Sequence, residues 1–255
     1  MIDEPLARGD SPMHSVDPRA KLVACLALSV LAALASRPVA PLVVLAAGLA
    51  MTLLARAPWR LVCARLGTVN FFVLFLWLAL PVTAPGEPWR HIAGIPVTWE
   101  GVALAGLITL KTNAIFFCIL ALVATTPAPA LARAMRALRI PDKFSFLFLF
   151  TYRYLHVMVE EYGRLVTAAR LRGFAPGTNL RTYRCYAALV GMVLVKSYDR
   201  SQRVYQAMLL RGFTGTFPSL IRFSPGRGDW VFVMAIVAVL GSALGLDCWW
   251  GRFHG

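Results

Sequence analysis

Five apolar runs dictate what this chain can become, because each approaches the length that crosses a bilayer. They are Lys21 to Ser36, Pro41 to Leu54, Gly67 to Val82, Gly101 to Ala124 and Trp230 to Leu246. A hydrocarbon core of about 30 Å takes about 20 helical residues, so the first two runs are short and must borrow flanking residues. Arg37-Pro38 leaves only a tight link between those two, which makes them a helical hairpin. Trp249 and Trp250 after the last run suit the membrane–water interface. Composition agrees: 58% of residues are hydrophobic and only 15% charged, and mean hydropathy is +0.65. The chain reads as an all-α membrane protein of about five transmembrane helices, with cytoplasmic coupling helices between spans four and five. Phe144 to Glu161 and Arg181 to Lys196, apolar but interrupted by charge, read as helices packed at the membrane's inner face, with a span for either as the alternative.

Charge fixes the orientation. Of the net +14, a share of +11 falls between Thr126 and Asp229, and Arg56, Arg60 and Arg65 fill the loop before the third span. With the N-terminus inside, these basic stretches are cytoplasmic, and the outside receives only Arg37, Arg90 and Arg252. That is the positive-inside pattern. It divides the chain into an N-terminal membrane domain of four spans (1–125), a basic cytoplasmic domain (126–229) and a C-terminal span (230–255). The first twenty residues carry Asp3, Glu4, Asp10 and Asp17 without an apolar core, so no cleavable signal peptide is expected. No aromatic-basic nucleic-acid motif accompanies the positive charge, so lipid and protein are the expected partners of the basic segment. Thr83 to Glu100, with Pro85, Pro88 and Pro96, reads as an extended external loop.

Chemistry-bearing residues are sparse. Cys25, Cys63, Cys118, Cys185 and Cys248 are scattered without a CxxC, and His14, His91, His156 and His254 lack ligand spacing. No metal site, cofactor or catalytic group is expected in this chain. Lys111 and Asn113 stand mid-span, where an ionisable side chain is a functional candidate. With no second ionisable group in that span, Lys111 is expected to pair with another span or to snorkel.

The informative stretch is a motif written twice. Glu160–Phe174 reads EEYGRLVTAARLRGF and Asp199–Phe213 reads DRSQRVYQAMLLRGF, at an offset of 39. The copies share an acid (Glu160, Asp199), then Arg164 and Arg203, Ala168 and Ala207, Leu171 and Leu210, and a closing Arg-Gly-Phe. Acid, Arg, Ala and Arg recur every four residues, so they form one helical stripe. The acid precedes the first Arg in the favourable order for an ion pair, which predicts Glu160–Arg164 and Asp199–Arg203 pairs. Gly173 and Gly212 are helix stops able to take the left-handed conformation. A bland role for Arg172 and Arg211 is to complement a helix dipole, worth about 0.3–1 kcal/mol. Duplication of the whole stripe argues for more. The alanine one turn back lets a surface approach, and the arginine fork can then reach an acidic or carbonyl-lined groove. Two such ends imply a partner with two equivalent grooves.

These pieces resemble the transmembrane T component of energy-coupling factor (ECF) transporters. Asp17-Pro18-Arg19, the Arg153-Tyr154-Leu155…Glu160-Glu161 run and Ala207-Met208…Arg211-Gly212-Phe213 look most like the T subunits of cobalt and nickel uptake systems, the CbiQ/NikQ type. The family signature is often Ala-Arg-Gly, and both copies here carry Leu in the first place. The resemblance implies a non-catalytic subunit of the inner (plasma) membrane that links two ABC-type ATPases to a substrate-binding S component. Arg172 and Arg211 would couple to the ATPases, with Gly173, Gly212, Ala168, Ala207, Leu171 and Leu210 around them. ATP and Mg²⁺ would belong to those ATPases, because no Gly-x-x-x-x-Gly-Lys-Ser/Thr occurs here. Cobalt or nickel is the cargo implied, with a vitamin such as biotin as the alternative. Two other readings are an intramembrane enzyme acting on a lipid phosphate, disfavoured by spans nearly free of Asp and Glu, and a solitary channel or carrier near Lys111.

Overall fold

The computed structural model describes residues 9, 11–83, 88–92, 95–215 and 226–254. After a short turn, α1 (Pro12–Ser15), come α2 (Pro18–Leu34), α3 (Val39–Leu54) and α4 (Trp59–Thr83), then strands β1 (Pro88–Ile92) and β2 (Ile95–Thr98). Helices α5 (Trp99–Leu122), α6 (Ala128–Ala137), α7 (Asp142–Leu171), α8 (Leu180–Leu210) and α9 (Arg227–His254) complete the order. The chain divides into two compact units, one built on residues 4–134 and 223–255, the other on residues 135–222.

In the first unit α5 is central and packs against α2, α3 and α4, while α9 lies against α2 and α3. Its core is made of small side chains: Ala24, Cys25, Ala32, Ala114, Cys118 and Ala121 surround Leu28, Val44 and Leu122. Lipid tails give no hydrophobic drive between helices, so close backbone approach supplies the attraction instead. Gly48 shows the tightness: a Cβ there would stand 3.0 Å from Phe117 Cβ and 3.3 Å from Cys118 N. Polar bridges add to the packing. Asn70 and Asn113 exchange amide hydrogen bonds of 3.3 and 3.2 Å, and Trp77 Nε1 donates to Thr109 Oγ1 at 2.8 Å, tying α4 to α5. Lys111 does pair with another span: its Nζ donates to the Ala33 carbonyl at 2.8 Å, in the last turn of α2, where carbonyls lack an intrahelical partner.

Three of these helices are long and apolar enough to cross a membrane: α4, α5 and Gly228–Asp247 of α9. Helices α2 and α3, of 17 and 16 residues, stay short at both ends. Two expectations are corrected. The basic residues Arg60 and Arg65 are not in a loop but in the first turns of α4, which starts directly after Pro58 because proline presets the helical φ. The stretch expected as an extended loop contains an antiparallel pair, with Arg90 opposite Val97 and Ile92 opposite Ile95; residues 84–87 and 93–94 lie outside the described ones.

Where α2 and α9 both begin, a polar clasp joins them. Asp17 caps α2 by accepting from Arg19 N at 2.9 Å, and its own N–H donates to Asp229 Oδ1 at 2.7 Å. Asp229 Oδ2 accepts from Gly226 N at 2.8 Å. Lys21, 2% exposed, donates to Thr126 Oγ1 at 3.4 Å.

Candidate functional site

The second unit is mainly one antiparallel helical hairpin. Helices α7 and α8, of 30 and 31 residues, would each span about 45 Å and are joined by residues 172–179. Lys196 of α8 forms an ion pair with Glu161 of α7. Arg164 and Arg200 add positive charge around it, and the Lys196 hydrogen bond holds the Glu161 carboxyl below the usual glutamate range. At one end Met208 of α8 shares a groove of about 350 Å³ with Leu147 and Phe150 of α7. The start of α7 is fixed by Asp142, which binds Arg136 at 3.0 Å.

Because the helices are antiparallel, their C-termini lie at opposite ends of the hairpin, and each C-terminus is one copy of the repeat. The two caps are built alike. Phe174 N donates to Ala169 O at 3.1 Å and Gly173 N to Arg170 O at 3.0 Å. Phe213 N donates to Met208 O at 3.1 Å and Gly212 N to Leu209 O at 2.9 Å. Each is the paired 6→1 and 5→2 pattern of a Schellman motif, which needs a left-handed residue after the cap. Gly173 (φ +83°) and Gly212 (φ +77°) supply it, and a Cβ at either would meet nothing within 4 Å. The glycines are therefore required by backbone conformation, and they leave an open surface beside each arginine.

Arg172 and Arg211 occupy the cap positions, with φ −88° and −90°. Both are exposed, as are Ala168 and Ala207 one turn back. Leu171 and Leu210 are 84% and 90% exposed, far from what free apolar side chains favour in water. Among the described residues neither tip guanidinium has a hydrogen-bond or ion-pair partner. At the first tip Ala168, Arg172 and Gly173 border a groove of about 680 Å³ whose other wall is Arg181 and Thr182 of α8.

The supporting ion pairs divide. Glu160 and Arg164 approach to 3.5 Å, both exposed. Asp199 and Arg203 form no such pair, a departure from the repeat's promise; an exposed i,i+4 pair is worth only about 0.3–0.5 kcal/mol, too little to hold two solvated side chains. Sequence reasoning did not find the Glu161–Lys196 bridge, whose partners lie 35 residues apart. Among the described residues no three His, Cys, Asp or Glu side chains gather as a metal site.

The sequence pattern of the cobalt transport protein family, CbiQ, matches residues 9–220. An energy-coupling factor transporter transmembrane protein, EcfT, of Heliobacterium modesticaldum is 25% identical over 220 residues, 81% of each chain. The cobalt transport protein CbiQ of Rhodobacter capsulatus is 30% identical over 122 residues, 48% of this chain and 50% of that protein. The nickel permease LarQ of Lactiplantibacillus plantarum is 30% identical over 112 residues, 44% and 39% respectively.

Proposed function

This chain belongs to the CbiQ family, multi-pass membrane T components of energy-coupling factor transporters, and from that premise we propose that it is the non-catalytic coupling subunit of an ATP-driven importer. The observation that carries the reading is the pair of matched, exposed arginine tips at opposite ends of one hairpin. Two equal ends suit two equal ABC-type ATPase subunits, each offering an acidic or carbonyl-lined groove to one guanidinium fork. ATP and Mg²⁺ bind in those subunits. Nucleotide-driven closure moves the grooves, the tips follow, and the hairpin passes the displacement to a membrane S component that carries the cargo and reorients to release it inside. The N-terminus, the basic segments and the hairpin face the cytoplasm of the inner membrane, and exposed Phe71, Phe72 and Leu78 on α4 meet lipid. The relatives named for cobalt and nickel make one of these ions the proposed cargo, bound in the S component.

Each charge-assisted contact is worth about 1.5–3 kcal/mol, so losing one weakens docking about tenfold or more. Arg172→Ala and Arg211→Ala are each expected to lower ATPase co-purification and metal uptake, and the double variant to abolish both. A double variant that retains its ATPases and takes up metal at the unaltered rate contradicts the proposal.

A further inference from the structure

Each arginine tip is followed two residues on by a phenylalanine, Phe174 or Phe213. Around each glycine the apolar side chains behave in opposite ways. Leu171 and Leu210 before it stay exposed, whereas Phe174 and Phe213 after it are half-buried. Reversal of the chain at the left-handed glycine is what turns the ring back. In a Schellman motif the apolar residue at this place commonly meets its own helix. Phe174 meets the next helix: its ring stands 5.5 Å from that of Tyr186 on α8, at an interplanar angle of 85°. Gly177 N donates to Thr182 Oγ1 at 3.2 Å, so the returning loop is fixed to the same first turns of α8. Arg172 thus projects from a segment held on both sides, by the last turn of α7 and by an aromatic seat on α8. Fixing the backbone of a long side chain before it binds reduces the ordering that binding must impose.

We propose that Phe174 and Phe213 are positioning residues for the two arginine tips, with Tyr186 the seat of the first. This rests on the coupling reading of Arg172 and Arg211.

The test measures affinity of the copurifying ATPase subunits for the folded full-length protein in nanodiscs. Phe174→Ala and Tyr186→Ala are each expected to weaken docking about three- to tenfold, while Phe174→Tyr, which keeps the ring, stays within about twofold of the unaltered protein. In an Arg172→Ala background Phe174→Ala is expected to add less than about twofold, because the contact it positions is already gone. An equal penalty with and without Arg172 means general destabilisation and overturns the inference, as does a Phe174→Ala protein that unfolds more easily but docks with unchanged affinity. If Phe174→Ala is silent while Arg172→Ala is not, this inference alone fails. If Arg172→Ala and Arg211→Ala are both silent, the coupling reading fails with it.

Discussion

At the scale of single residues, the helix ends of this chain solve one problem in two ways. After α3 and α6 the left-handed position is taken by an arginine, Arg56 at φ 50° and Arg139 at φ 62°. At the tips it is taken by glycine, and the arginine steps back to the cap. An L-residue in that region costs about 1 kcal/mol, so Gly212→Ala is expected to speed hydrogen exchange of the Phe213 amide about fivefold, and Gly173→Ala that of Phe174. Unchanged exchange would mean that the left-handed turn is not what fixes the cap. The repeat made this legible in advance, because Arg, Gly and Ala sit at fixed helical spacing and caps are local. It misled at Asp199 and Arg203, where spacing allows a contact that solvent competes away.

Among elements, the local signals fared well and the long-range ones did not. Apolar runs located α2, α3, α5, α9 and most of α4, but not the start of α4, since charged turns can continue a helix beyond the apolar stretch. Strand pairing between Pro88–Ile92 and Ile95–Thr98 is a matter of register between two segments, not of composition. The bridge that joins α7 to α8 is likewise invisible to periodicity. It has a pH signature. Because Lys196 holds Glu161 below its ordinary value, the stability it brings is complete above glutamate's usual pKa of about 4.3 and is lost as pH falls through the lower folded value. Thermal melts of the purified protein are expected to lose stability from about pH 4.3 downward, and Glu161→Gln to remove that part of the acid dependence. A Glu161→Gln protein with the same acid profile as the parent would show that other carboxylates carry it.

Across the whole molecule, the membrane unit is held by small-residue contacts and a few polar bridges, and Asp229 has a disproportionate share. It accepts from the start of α2 and from the start of α9 beside the buried Lys21. Asp229→Ala is expected to lower the stability of the detergent-solubilised protein by about 2 kcal/mol, as the loss of a strong helix cap does, with Asp229→Asn intermediate. Equal melting of the alanine variant and the parent would assign the clasp no weight. Composition and charge announced a multi-pass helical protein with a basic segment between its last two spans. What they could not announce is that α7 and α8 run antiparallel, which sets the two arginine tips at opposite ends of a single body.

That arrangement is tested most directly by cross-linking in native membranes. Leu171→Cys and Leu210→Cys, placed in a chain whose own cysteines are replaced, are each expected to capture one ATPase subunit, and the double variant to capture two. Absence of any ATPase adduct, or labelling of both positions by a membrane-impermeant reagent applied from outside the cell, contradicts the coupling role.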